Sequence, residues 1–378
     1  MLPLRMRRAV HAGRRVRLRR LPLGVRSRDC GALSASGWVD AVVGLSRRGL
    51  LAGLAGLPAS AWAAPGPGSL EPVTVVCPNV SNTSNLAVLN AEAGGHFAAQ
   101  GLRATMVGSG TGVGALQQLA AGRCQFLRAQ AIELIRAVAR QQAPLVAIAC
   151  DEHSIQYVML SAPDRAVRDA SGLRGKRVGV LAVGSTMDSY LDVMLHHAGL
   201  PMDAVERRVI GMNAGAFELV RLGRLDAIIL PHEAAWPLLR PSAGEPVVVL
   251  PISLAVAMPG HCLMTTRAIV EQRPELALGF TRAVAASMLE IIAGPIDAVV
   301  ARCAARFDMP GLGPMAQSVA IVQWQVETWL ADGRAALLRN LEAGWRAGLA
   351  EMAEAGLATV PAGVELYTNR FVGQALGE

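Results

Sequence analysis

A turn, a strand and the start of a helix follow one another at residues 173–191, which read LRGKRVGVLAVGSTMDSYL. Residues 173–175 predict the turn, and the largely apolar residues 177–181 predict a buried strand. Residues 184–186, Gly-Ser-Thr, are suited to begin a helix, because such residues satisfy the first free backbone N–H groups. A strand that passes through a polar cap into a helix, here over 187–197, is the repeating unit of an α/β fold.

The same order of elements occurs before and after this stretch. It predicts an α/β fold with largely parallel sheets, arranged as two similar lobes rather than as one continuous sheet. From about residue 268 onward the sequence predicts mainly helix. In the first unit we predict strands over 73–76, 103–107 and 145–149 and helices over 86–100, 115–121 and 131–140; in the second, strands over 205–210, 226–230 and 247–250 and a helix over 214–222.

The composition suits a large aliphatic core and excludes one class of partner. Apolar residues make up 52% of the 378 residues and aromatic residues only 4%, so the core is built from Ala, Leu, Val and Ile. Residues 1–63 contain 12 of the 36 basic residues and 2 of the 29 acidic ones, which leaves 24 basic against 27 acidic residues in the rest. Without an excess of cations to neutralise phosphates, we do not expect that part to bind nucleic acid.

The first 63 residues have the features of an export signal. Residues 46–51, Ser-Arg-Arg-Gly-Leu-Leu, precede an uncharged apolar run to Trp62, and residues 61–63, Ala-Trp-Ala, suit cleavage by signal peptidase after Ala63. The paired arginines resemble a twin-arginine signal, while the general secretory route stays open. A membrane anchor is the alternative, but the run is shorter than the roughly 20 residues that span a bilayer. We therefore predict a periplasmic protein.

The remaining sequence indicates no metal site, cofactor or membrane span. We expect no segment after residue 63 to be long and apolar enough to cross a bilayer. Five cysteines follow that point, without a C-x-x-C pair, so neither a zinc site nor a dithiol redox motif is predicted. Buried single thiols are the expected state for most of them.

Several short motifs follow one another in a recognisable order. They are Gly101-Leu102, residues 108–111, residues 115–126, residues 173–180, Gly184-Ser185, residues 191–200, Gly223-Arg224-Leu225-Asp226-Ala227 and Arg273-Pro274-Glu275. Together they resemble the periplasmic solute receptors of the NMT1/THI5-like family, which serve sulfonates, nitrate and the thiamine pyrimidine. The resemblance runs from about Val73 to Phe307.

The resemblance implies a fold and a role. The fold is the type II periplasmic-binding fold, with two α/β lobes, a ligand cleft and two hinge crossings; the lobes are expected over 70–160 plus 262–378 and over 161–261. The role is that of the solute-binding component of an ABC importer, which closes on a small-molecule ligand and delivers it to a membrane permease driven by an ATPase. Sulfonate, nitrate, taurine or a pyrimidine-like solute are the implied ligands, and such receptors usually act as monomers.

Three loops that begin helices are the best candidates for ligand binding. A helix N-terminus offers free N–H groups and a partial positive charge, so it suits carboxylate, sulfonate or phosphate. The same Ser, Thr and Asn side chains are equally explained as helix caps. The histidine–glutamate pair that follows a predicted strand end is a further candidate, with a solvated loop as its alternative. The ligand-binding residues predicted here are Asn82, Thr83, Ser84, Ser109, Gly110, Thr111, Gly184, Ser185, Thr186, His232 and Glu233.

Catalytic motifs are weak in this sequence. No Gly-x-Ser-x-Gly elbow or phosphate-binding loop occurs, and Gly110-x-Gly112-x-x-Ala115 fits a dinucleotide fingerprint only nominally. No nucleophile, base and orienting group can be assembled, so we predict a binding protein and not an enzyme. A periplasmic enzyme acting on a pyrimidine-like molecule, and a ligand-sensing subunit of a signalling partner, are the alternatives. The scarcity of aromatic residues favours a compact anion over a flat ring.

Overall fold

The computed structural model describes residues 69–77, 82–240, 246–309 and 312–378, all of which lie in the unit Ala63–Glu378. The predicted export signal, residues 1–63, lies outside the described residues. The strands are β1 (Glu71–Cys77), β2 (Leu102–Gly108), β3 (Phe126–Gln130), β4 (Leu145–Cys150), β5 (Tyr157–Ser161), β6 (Arg177–Val180), β7 (Glu206–Val209), β8 (Ala227–Pro231), β9 (Val248–Pro251) and β10 (His261–Thr266).

The helices connect these strands and form most of the chain after β10. They are α1 (Leu86–Ala93), α2 (His96–Ala99), α3 (Gly112–Ala120), α4 (Ala131–Gln141), α5 (Thr186–His197), α6 (Glu218–Arg221), α7 (His232–Ala235), α8 (Arg267–Gln272), α9 (Pro274–Ala293), α10 (Ile296–Arg306), α11 (Met315–Trp329), α12 (Glu342–Glu354) and α13 (Val372–Leu376). The single helix predicted over 86–100 is broken at Gly95, whose φ of 77° lies in the left-handed region that favours glycine.

The strands form two five-stranded sheets with the same pattern. The first has the order β2-β1-β3-β10-β4 and the second the order β7-β6-β8-β5-β9. In each sheet three neighbouring strands are parallel, and the fourth is antiparallel to both of its neighbours. That antiparallel strand, β10 or β5, is the one that the chain enters directly after crossing from the other sheet.

Two short segments carry the chain between the sheets. Residues 151–156 lead from β4 to β5, and residues 252–260 lead back from β9 to β10. The segments touch: the Gly260 N–H donates to the Glu152 carbonyl at 2.8 Å. The boundary expected between residues 160 and 161 falls within β5, whose residues all pair in the second sheet, whereas His261 pairs in the first.

The core follows from the aliphatic composition. β4 is buried along its whole length, as expected for a strand covered on both faces. One continuous cluster of buried side chains reaches from the first sheet through α4, α5 and α12 to the second sheet. Among the described residues all five cysteines are free and buried, in agreement with the sequence prediction: Cys77, Cys124, Cys150, Cys262 and Cys303.

One described helix differs from the sequence expectation about membrane spans. α9 is long and apolar enough to cross a bilayer by length and composition alone, which the sequence analysis did not expect of any segment after residue 63. In the fold, however, 67% of its most apolar window is buried. α9 is therefore a core helix that packs on the first sheet, beside α1 and α13.

Candidate functional site

A cavity of about 390 Å³ lies between the ends of the two sheets. Loops that follow β2, β3 and β6 line it, so it sits at the carboxyl ends of parallel strands, where ligands bind in α/β sheets. The lining residues are Gly110, Thr111, Gly112, Val113, Gln130, Glu133, Arg136, Tyr157, Leu181, Ala182, Val183, Gly184, Ser185, Thr186, Met187, Met212 and His261.

Five of the eleven predicted ligand residues line this pocket. Gly110 and Thr111 precede α3, and the Thr111 side chain caps that helix by accepting from the Gly114 N–H at 3.1 Å. Gly184, Ser185 and Thr186 begin α5 in the same way, with Ser185 as the cap. Thr111 and Ser185 therefore cap helices and also line the pocket. Helix capping and ligand binding, the two alternatives that the sequence left open, are compatible at these residues.

The other six predicted residues do not line the pocket. Ser109 lies just before it and donates to the Thr111 carbonyl at 2.8 Å. Thr83 and Ser84 are buried in a 3₁₀ turn beside α11. Asn82 lies at a second contact between the two halves of the fold, opposite His232 and Glu233. Its side-chain amide donates to Glu233 at 2.8 Å. These last three residues do not line the pocket, and the hydrogen bond between Asn82 and Glu233 joins the two halves of the fold.

His232 is held in this second contact by aromatic side chains. Its ring stacks on Trp324 of α11 with the ring centroids 3.6 Å apart, and Trp236 meets it edge to face at 5.5 Å. The His232 Nδ1 atom is buried, and none of the described residues forms a hydrogen bond with it. Burial lowers the pKa of His232 from 6.5 to about 4.

The low pKa of His232 predicts a loss of stability in mild acid. Between about pH 4 and 6.5 the unfolded chain binds a proton at His232 that the folded chain does not, so stability falls as pH is lowered through this window. From pH 7 to pH 5 we expect this group to contribute a loss of about 1–2 kcal/mol. Urea unfolding of the wild type and of His232→Phe, which keeps an aromatic ring on Trp324, measures it. An equal loss in both proteins would contradict this assignment.

Three polar residues of the pocket were not predicted from the sequence. Gln130 ends β3, Glu133 occupies the third position of α4, and His261 begins β10. The Gln130 side chain accepts from the Tyr190 hydroxyl at 2.8 Å, and its amide nitrogen lies 3.0 Å from the His261 ring nitrogens. His261 Nδ1 in turn lies 2.7 Å from the Glu152 carboxylate.

Glu133 bridges the two sides of the pocket. It is only 6% exposed, and it accepts a hydrogen bond from the Thr186 hydroxyl. Burial raises the pKa of its carboxyl, and the Thr186 hydrogen bond and the charges of His261 and Arg136 oppose this rise. Arg136, one turn further along α4, donates to the Gly184 carbonyl at 3.1 Å.

A buried ion cluster contacts the pocket residue His261 through Glu152. The Arg128 guanidinium donates to Asp151 at 2.8 Å and to Glu152 at 2.9 Å, and its side chain is 1% exposed. Burial by itself would raise the pKa of Glu152, but His261 and then Arg128 lower it to about 2. His153, the next residue, turns away and contacts Asp332 at 2.9 Å. Within the described residues no three His, Cys, Asp or Glu side chains lie close enough together to hold a metal ion.

Two mixed sheets joined by two crossings, with a pocket between their strand ends, define the type II periplasmic-binding fold. Similar solved structures include one from Bordetella bronchiseptica RB50, with a TM-score of 0.65 and 20% identity over 80% of this chain and 96% of that one. Another is the alkanesulfonate-binding protein SsuA from Xanthomonas axonopodis pv. citri bound to MOPS. Its TM-score is 0.58, with 17% identity over 79% of this chain and 97% of that one. The desulfurization enzyme DSZB also shares the fold, with a TM-score of 0.53 and 17% identity over 81% of this chain and 99% of that one.

The sequence itself matches a family model. The NMT1/THI5-like model matches residues 82–298, which is more than half of the chain. No curated protein sequence matches the chain. The chain belongs to the NMT1/THI5-like family, and both the family and the fold predicted from the sequence are confirmed.

Proposed function

We propose that this protein is the periplasmic solute-binding component of an ABC-type importer. The observation that carries the proposal is the pocket of about 390 Å³, whose walls come from both sheets. Pockets for small molecules span about 300–1,000 Å³ and are mostly apolar with a few placed polar groups. Val113, Met187 and Met212 supply apolar wall here, and Gln130 and Glu133 supply polar groups.

The division into two lobes is part of the proposal. Residues 70–160 with 262–378 form one lobe and residues 161–261 the other, within a few residues of each boundary. The lobes move about the crossings 151–156 and 252–260 and close on the ligand, a form of domain closure that is common in such receptors. A membrane permease and its ATPase then receive the solute, as family membership supports.

The pocket favours an organic solute over an inorganic ion. A volume of about 390 Å³ far exceeds that of nitrate, and an apolar wall suits carbon rather than a hydrated ion. Of the ligands that the sequence implied, an organic sulfonate, taurine or a pyrimidine-like molecule therefore fits better than nitrate.

A thermal-shift screen tests the proposal. The purified protein is heated with alkanesulfonates, taurine, nitrate, carboxylates and pyrimidines, and a ligand at a hundredfold excess over Kd is expected to stabilise the fold by about 2.7 kcal/mol. Recovery of that ligand unchanged supports a receptor. Consumption of the ligand would point to an enzyme, as DSZB is on this fold. The absence of a shift with every class would contradict solute binding.

A further inference from the structure

Two of the buried cysteines face each other across the first sheet. Cys150 is the last residue of β4 and Cys262 is the second residue of β10, and the register of these antiparallel strands places the two residues directly opposite. Residues that are directly opposite in an antiparallel pair point to the same face of the sheet. Both side chains are 0% exposed and belong to the same cluster of buried side chains. The two thiols are therefore neighbours in one part of the core.

The hydrogen bonds around this pair show that the two backbones are close. The Cys150 N–H donates to the Leu338 carbonyl at 2.9 Å, and the next N–H, that of Asp151, donates to the His261 carbonyl at 3.2 Å. Bonds that flank a pair of residues mark a non-hydrogen-bonded pair, in which the Cα atoms are about 4.5 Å apart. A disulfide spans Cα distances of about 4.4–6.8 Å. The two strands therefore suit a disulfide without a change of register.

The other described cysteines are not placed in this way. Cys77 lies opposite Gly108 of β2, and Cys124 and Cys303 lie outside the described strands. Among the described residues, the pairing of strands thus brings two cysteines into register only at Cys150 and Cys262.

We propose that Cys150 and Cys262 form a disulfide when the chain folds in an oxidising compartment. This inference needs the periplasmic location proposed above and no property of the ligand. The bond forms by exchange with a disulfide of a protein or of a small thiol. One cysteine thiolate attacks that disulfide, and the other then attacks the mixed disulfide and releases the donor. The two cysteines lose two protons and two electrons, and the donor disulfide is reduced to two thiols.

The exchange takes place before the pair is buried. The thiolate is the attacking species. In the folded chain, burial raises the pKa of the Cys262 thiol well above its ordinary value, and the Cys150 thiol beside it raises that pKa further. Since the thiolate is disfavoured there and the side chains have no exposed surface, a chain that has folded in the reduced state keeps its thiols.

The disulfide ties the two crossings together where they leave and re-enter the first sheet. Cys150 directly precedes the crossing 151–156, and Cys262 closely follows the crossing 252–260, so the covalent loop contains the whole second sheet. Closing a loop of this length removes much conformational freedom from the unfolded chain. We expect the oxidised protein to melt about 5–10 °C above the reduced protein.

Oxidative refolding tests the proposal. The chain is unfolded and reduced, refolded in a mixture of reduced and oxidised glutathione, and then alkylated in denaturant and mapped by mass spectrometry. We expect a linked pair of peptides that joins Cys150 to Cys262 in most molecules. Both cysteines alkylated or carrying glutathione, or linked to other cysteines instead, would overturn the proposal.

Matched alanine variants assign the effect on stability. Each protein is refolded once with the glutathione mixture and once with dithiothreitol, and the two samples are melted, so that each variant is its own reference for the cavity that alanine leaves. The wild type should show the difference of about 5–10 °C, and Cys262→Ala should show none. Cys77→Ala, an equally buried cysteine outside the pair, is the control and should keep the difference. The same difference in the wild type and in Cys262→Ala would contradict the assignment. Solute binding is measured separately, so either proposal can fail alone.

Discussion

Replacing Arg128 by methionine is expected to lower the free energy of unfolding by about 3–5 kcal/mol, because the change removes the cation that pairs with two buried carboxylates. Asp151 and Glu152 are each about 3% exposed and both depend on this guanidinium. Glu152 keeps the contact of its carboxylate with His261, whereas Asp151 Oδ1 is already buried and has no hydrogen-bond partner among the described residues. Urea unfolding at pH 7 measures the loss.

The triple variant Arg128→Met, Asp151→Asn, Glu152→Gln shows whether uncompensated charge is the cause. We expect it to regain much of the lost stability, since neutral groups no longer need the cation. The single variant should also be less impaired near pH 5, because buried unpaired carboxyls have raised pKa values and take up protons on folding. Arg306→Met is the control: its ion pair with Glu92 is long, at 3.6 Å, and the Arg306 side chain is 57% exposed, so the pair should contribute less than about 1 kcal/mol. A loss of the same size in both single variants would contradict the argument.

Replacing Gly260 by alanine is expected to destabilise the fold by about 1–3 kcal/mol through overpacking. A Cβ at this position would lie 2.5 Å from the Ser154 carbonyl oxygen and 3.0 Å from the Glu152 Cβ. The carbonyl belongs to the backbone of the other crossing, so it cannot rotate away as a long side chain does. Gly260 is also fixed from both sides, since its N–H donates to Glu152 and its carbonyl accepts from Ala131.

Gly279→Ala is the matched control for this prediction. Gly279 lies inside α9, and a Cβ there would have its nearest neighbours at 3.7 Å, an ordinary contact. Alanine in a helix interior is favoured over glycine by about 0.5–1 kcal/mol, so this variant should be slightly stabilised. Unfolding curves for the two variants are therefore expected to shift in opposite directions. A shift in the same direction would show that the crossings do not constrain Gly260 as described.

The alternation of strands and helices could be predicted from the sequence because each of these elements is specified by the residues within it and next to it. Apolar runs such as 145–149, followed by polar caps and glycines, fix strand and helix positions within a few residues. β3 was missed because its sequence, Phe-Leu-Arg-Ala-Gln, carries Arg128 and Gln130 in a fully buried strand. Their burial depends on partners more than 20 residues away, and such tertiary pairing leaves no local signal.

The missed strand explains why the candidate site was predicted only in part. With β3 unrecognised, Gln130 and Glu133 did not stand at the carboxyl end of a strand, and a glutamate three residues into a helix reads as part of a cap. The helix starts at Thr111 and Ser185 were found because capping sequences are short and local. That the Glu133 carboxylate lies against Gly112 at the start of α3 is a contact between separate segments, and such a contact leaves no local signal in the sequence.

The place of β10 in the first sheet has a consequence for synthesis and folding. β3 and β4 do not pair with each other; each pairs with β10, which the ribosome makes more than a hundred residues after β4. A nascent chain that ends before residue 261 therefore leaves both strands with an unpaired edge, a form prone to aggregate. The first sheet is completed only after the whole second sheet has emerged, and such non-local pairing makes folding slow.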